Sequence, residues 1–165
     1  MIGVALLLVI GAVIAWAIAV GAVAWEALHP PRRTTAWALA RGTHPDPEPI
    51  ERPWRLLRHE LADGTTLPYW EIDGDDANGA VVVIVHGWGR SRWDSLRRVG
   101  AFLPRASRLV LPDLRGHGEA DGRTSLGMRE PADLVDLLAR LDVNAGFSAG
   151  ATAAARALVL VGHSL

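Results

Sequence analysis

Ile2 to Trp25 carries no charged side chain at any position. Nothing else in the chain restricts what it can fold into so sharply. As a helix the run spans roughly 36 Å at about 1.5 Å per residue, enough to cross a hydrocarbon core of about 30 Å. It is apolar on every face, unlike the helices that cover a water-soluble core. The reading is a retained transmembrane anchor over residues 1–28, meeting membrane lipid along residues 2–25, with Trp25 as an interfacial residue. A cleaved signal peptide competes, because Ala22-Val23-Ala24 fits an A-x-A site. Against it, no Lys or Arg precedes the run, and the run exceeds a signal core of about 7–15 residues. Arg32, Arg33 and Arg41 follow the segment, so the positive-inside rule places the downstream domain in the cytoplasm.

Residues 29–53 hold six of the ten prolines. Trp37-Ala38-Leu39-Ala40 suits a helical turn, and Pro45-Asp46-Pro47-Glu48-Pro49 reads as extended. This segment is expected to be a spacer that holds the rest of the chain off the membrane.

The pattern changes at Trp54. Two strands, Trp54 to Leu61 and Thr65 to Ile72, flank the hairpin signal Ala62-Asp63-Gly64. Asp73 to Gly79 is a polar loop whose carboxylates match no metal-ligand spacing. Ala80 to Val85, AVVVIV, is β-branched almost throughout and reads as a central strand buried on both faces. Arg92 to Leu103 approximates a helix face, Arg108 to Leu111 a short strand, and Glu130 to Leu141 a helix. In that last helix Pro131 lies in the first turn and Leu134, Leu137, Leu138 and Leu141 share a face. Ala157 to Val161 is one more apolar strand, expected to be buried and parallel. Strand, helix, strand, helix, strand in this order is the pattern of a parallel α/β sheet.

Composition excludes some classes of function. The formal net charge is -1, every basic residue is Arg, and no basic block occurs, so no nucleic-acid partner is expected. There is no Cys, which removes disulfide and thiolate chemistry. No phosphate loop, HExxH or EF-hand pattern is present, and neither cofactor nor metal is expected.

Three loops leave strand ends: His86-Gly87-Trp88-Gly89, Pro112 to Gly118 (PDLRGHG), and Gly162-His163-Ser164-Leu165. In open α/β sheets, sites form at the C-terminal strand ends. With VVVIVHGWG, LVLPDLRGHG and LVLVGHSL in this order, residues 54–165 resemble the N-terminal part of an α/β-hydrolase-fold domain. The resemblance implies a mostly parallel sheet with flanking helices, and a serine hydrolase acting on an ester, thioester or amide through an acyl-enzyme. It implies Ser164 as nucleophile, on the G-x-S-x-G elbow. The backbone N–H groups of Trp88 and Leu165 would form the oxyanion hole. His86 and His117 would shape their loops, and Asp113 would fix its own. The substrate would be a small acyl compound.

Two alternatives stand beside this reading. Gly146-Phe147-Ser148-Ala149-Gly150 is a complete G-x-S-x-G, so Ser148 competes with Ser164 as the elbow serine. The chain stops one residue before the second Gly of the Ser164 motif, and the family's acid and His follow the nucleophile. The expectation is therefore either the first portion of a larger enzyme, or a non-catalytic anchored fragment that serves binding or assembly.

Overall fold

The computed structural model describes residues 2–141 and 157–162. Helix α1 (Ile2–Leu28) is followed by α2 (Thr35–Ala40), and strands β1 (Trp54–Glu60) and β2 (Thr66–Asp73) form an antiparallel hairpin. Then come β3 (Ala80–Val85), α3 (Arg92–Phe102), β4 (Ala106–Pro112), α4 (Glu130–Arg140) and β5 (Leu158–Gly162). The strand order is β1-β2-β4-β3-β5. β4, β3 and β5 run parallel, and β2 joins β4 antiparallel.

The period-2 alternation of the strands decides what each face buries. Trp70, Ile72, Val82, Ile84, Leu109 and Leu111 face the layer of α3, where they meet Trp93 and Val99. Tyr69, Val81, Val83 and Val110 face Leu137 and Leu141 at the end of α4. β3 lies inside the sheet, between β4 and β5, and is buried on both faces as its unbroken apolar run predicts. α4 likewise packs through the leucine face read from the sequence.

β5 departs from expectation. It is parallel to β3, but it has one neighbour strand among the described residues, and Leu160 is 53% exposed. An apolar run predicts a strand; whether both its faces are covered depends on what packs against it.

The proline-rich segment also differs from a free extended spacer. Besides α2 it contains a 3-10 turn at Glu48–Ile50. It is tied down by side chains that the composition did not single out. Arg32 donates to the carbonyls of Ala120 and Gly122, and Arg33 pairs with Asp94 at 2.6 Å. Thr35 donates to Glu119 through its N–H (3.2 Å) and its hydroxyl. Ala38 is completely buried against Trp70 and its neighbours. Prolines stiffen the segment, but buried contacts set its path.

α1 is a single apolar helix long enough to cross a membrane, and its side chains are almost wholly exposed. Its last turn touches the domain, where Trp88 Nε1 donates to the Ala27 carbonyl at 2.9 Å.

Candidate active site

The loops after β3 and β4 emerge at the same edge of the sheet, and side chains lock them together. His86 Nδ1 donates to the Gly87 carbonyl at 2.9 Å, which leaves Nε2 to accept the Leu114 backbone N–H at 3.0 Å. These two bonds fix the tautomer and staple the HGWG loop to the DLRGHG loop. The His117 ring lies 5.2 Å from that of His86 and donates through Nδ1 to the Arg115 carbonyl. Its Nε2 is buried without a hydrogen-bond partner among the described residues, and burial lowers its pKa. Both histidines thus shape their loops, as the resemblance implied.

Asp113 is the hub of this edge. It accepts the Arg92 backbone N–H at 2.7 Å, the Arg92 guanidinium at 2.5 Å and the Glu119 N–H at 2.9 Å. Burial pushes its carboxyl up to about 6, against the pull of Arg92 and of these N–H donors. Arg92 is itself buried, with its guanidinium carbon 4.8 Å from the rings of both Trp70 and Trp93. Gly118 is required here. At φ +50° it occupies the left-handed region, and a Cβ would lie 2.2 Å from Asp113 Oδ2. Arg115 reaches the other way, forking onto Asp133 at 2.8 Å by two bonds and onto Asp63 at 2.7 Å. It joins the loop to α4 and to the β1–β2 hairpin.

A cavity of about 580 Å³ opens beside these loops. Its walls include Gly87, Trp88, Leu114 and His117 from the two loops, and Leu126 and Glu130 from the approach to α4. Val23, Glu26 and Ala27, from the last turns of α1, complete it. The size suits a small-molecule ligand, for which pockets of about 300–1,000 Å³ are usual.

Glu130 organises the segment before α4. Its carboxylate accepts the Thr124 hydroxyl, the N–H and hydroxyl of Ser125, and the N–H groups of Gly127 and Arg129. Burial pushes its pKa up, but the bonds from Ser125 and Thr124 outweigh it and hold the carboxyl down at about 2. Leu126 within this turn sits at φ +54°, an unusual region for a side chain of its size. Sequence reasoning missed Glu130, Leu126 and the contribution of α1. The signals were faint: a Ser-x-Gly turn preceding a carboxylate, and an apolar helix close in sequence to an Arg-rich segment.

Of the expected site residues, Trp88 lies at the cavity wall. Ser164, Leu165 and the competing Ser148 lie outside the described residues. His44, Asp46 and Glu48 bring possible ligand atoms within 4.8 Å of one another on an exposed turn, where Asp46 already accepts the Glu48 N–H. That geometry is an ordinary Asx turn.

Comparison with known proteins agrees with the fold. The magnesium-chelatase 30 kDa subunit of Rhodobacter capsulatus is 35% identical over 91 residues, covering 51% of this chain and 32% of that protein. An esterase of Pyrococcus furiosus superposes with a TM-score of 0.60 at 24% identity, over 83% of this chain and 47% of its own. An epoxide hydrolase of Vigna radiata gives 0.50 at 25% identity, over 67% of this chain and 32% of its own. The chain thus spans about a third of the curated relative and about half of the esterase. A sequence model of the alpha/beta hydrolase family matches residues 82–165, half of the chain, and with β3, β4 and β5 in the expected parallel order this chain belongs to that family.

Proposed function

We propose that the chain is the N-terminal portion of a membrane-anchored serine hydrolase, with residues 1–28 as anchor, 29–53 as connecting segment and 54–165 as the first part of the catalytic domain. One observation carries this reading. Gly162 at the end of β5 pairs with Val85 at the end of β3, so both strands deliver their next residues to one edge. The reading assigns the nucleophile to Ser164, two residues after Gly162 in the chain. Among the described residues no hydrogen bond takes up the Trp88 backbone N–H. That leaves it available as an oxyanion donor, with Leu165 N–H as the second.

In this mechanism Ser164 Oγ adds to the carbonyl carbon of an acyl substrate while its proton passes to a general base. The tetrahedral oxyanion is held by the two N–H donors, collapses, and expels an alcohol, thiol or amine that takes up the proton. Water then adds to the acyl-enzyme and releases the acid. The base and its supporting carboxylate are assigned to the part of the fold that this chain does not span, in keeping with the family's chain order. Arg32, Arg33 and Arg41 favour a cytoplasmic catalytic domain.

The test is labelling of the full-length protein in membranes with a fluorophosphonate probe. Labelling is expected, and Ser164→Ala is expected to abolish it while Ser148→Ala leaves it intact. Label lost in Ser148→Ala but kept in Ser164→Ala would move the nucleophile to Ser148.

A second reading has its own support. The curated relative is named as a magnesium-chelatase subunit, and its identity to this chain exceeds that of the esterase. Here the fold would serve as an anchored assembly module without acyl chemistry. Absence of any serine labelling in folded full-length protein would favour it.

A further inference from the structure

The cavity has a feature that the family's fold does not require: α1 builds one of its walls. Val23, Glu26 and Ala27 line it together with Trp88 and Leu126. A helix whose apolar run ends at Trp25 places those three residues at the level where acyl chains meet headgroups. Whatever shares a cavity with Val23 then shares its depth.

The rim of the cavity has the composition of an interfacial surface. Trp88 is 47% exposed and Leu126 57%, and Met128, two residues on, is 85% exposed. Leu126 is held outward on a left-handed backbone that L-residues avoid. The turn that carries it is no loose loop, because Glu130 fixes its N–H groups at Ser125, Gly127 and Arg129. In water an exposed leucine on unfavourable backbone, next to an exposed methionine, gains nothing. Against a bilayer both side chains are buried.

We infer that the cavity mouth faces the bilayer, with the Leu126–Met128 turn and Trp88 seated in the membrane interface, and that the substrate is a lipid ester whose acyl chain enters sideways along α1. The inference rests on the anchor and hydrolase readings above. The chain of the ester would lie among Val23, Ala27, Leu114 and Leu126. Its carbonyl would lie toward the Trp88 backbone, at the sheet edge where Ser164 is proposed to act. His117 Nε2, buried at the cavity wall without a partner among the described residues, offers a polar contact for the head of such a substrate.

Two measurements on the full-length protein in phospholipid vesicles test it. The first uses position rather than activity. These 165 residues contain no Cys, so with any cysteine of the remaining chain replaced by Ser, Met128→Cys and, as a control on the exposed face of α4, Val135→Cys each take a single environment-sensitive label. Spin-labelled lipid is expected to quench the label at position 128 at least threefold more than that at 135. Equal quenching overturns the membrane-facing mouth.

The second compares a long-chain ester dissolved in the vesicles with a short water-soluble ester. Val23→Trp is expected to lower the long-to-short ratio of kcat/KM about tenfold. An unchanged ratio overturns the acyl-chain assignment. The prior readings fail separately: loss of the protein from floated vesicles defeats the anchor. Hydrolysis of neither ester defeats the hydrolase and the lipid substrate with it, while the quenching result still decides where the mouth faces.

Discussion

Two carboxylates hold the two sides of the cavity, and they do so under opposite electrostatic conditions. Asp113 fixes the DLRGHG loop from a buried position, paired with a buried guanidinium, and its pKa is raised to about 6. Glu130 fixes the turn at 124–129 by collecting hydroxyl and N–H donors, and its pKa is lowered to about 2. The first loop is tied through Asp113 to Arg92, whose guanidinium lies over Trp70 and Trp93. The second presents Leu126 and Met128 outward. A buried ion pair gives a rigid floor but leaves each charge dependent on the other. A carboxylate satisfied by local donors gives a turn that stays ordered while its apolar side chains face away from the domain.

Removing the buried partner has the largest expected effect. Asp113→Ala removes the acceptor of the Arg92 N–H, the Arg92 guanidinium and the Glu119 N–H and leaves the buried Arg92 with Glu119 alone as its ion-pair partner, and about 3–5 kcal/mol of stability is expected to be lost. Denaturant unfolding of the solubilised protein measures it, and a loss below about 1 kcal/mol would mean that the clamp is not what holds this edge.

The next prediction turns on the sign of the pH dependence. Glu130 is lowered from 4.5 to about 2, so its contribution is present above pH 4.5 and is lost as pH falls through 2. Asp113 is raised from 3.8 to about 6, so its contribution is present below 3.8 and declines as pH rises through 6. Glu130→Gln should therefore flatten the acid side of a plot of Tm against pH, and cost about 1–3 kcal/mol at neutral pH. Asp113→Asn should flatten the segment between 3.8 and 6 instead. Identical slopes in both variants would erase the contrast between the two loops.

The smallest effect has the opposite direction. Leu126→Gly removes a side chain from left-handed backbone and is expected to stabilise the solubilised protein by up to about 1 kcal/mol. A loss of stability would mean that the Leu126 side chain packs on the domain more than its exposure indicates.

How much of this was legible beforehand depends on the range of the forces involved. AVVVIV announced a doubly buried strand, and β3 occupies residues 80–85 as read. The leucine face of α4 and the Asp63-Gly64 turn were equally plain, because each follows from periodicity or local backbone preference. His86 and His117 were placed correctly as loop-shaping residues. By contrast, nothing local says that Thr35 will reach Glu119, that Arg115 will join Asp133 to Asp63, or that Ala38, in a proline-rich segment, will be completely buried. Those contacts join residues far apart in the chain, and many partners of the same type were available to each.

The sequence by itself determined the apolar helix, the order and type of strands and helices, and membership of a fold whose loops meet at one edge. These rest on hydrophobic periodicity and on glycines at strand ends, which act within a few residues. Only the tertiary structure decided that α1 closes a cavity at that edge, that the proline-rich segment packs on the domain, and that Glu130 holds Leu126 outward. Each of these depends on which surfaces come together in space, and pairing of that kind is set by the packing of the whole fold.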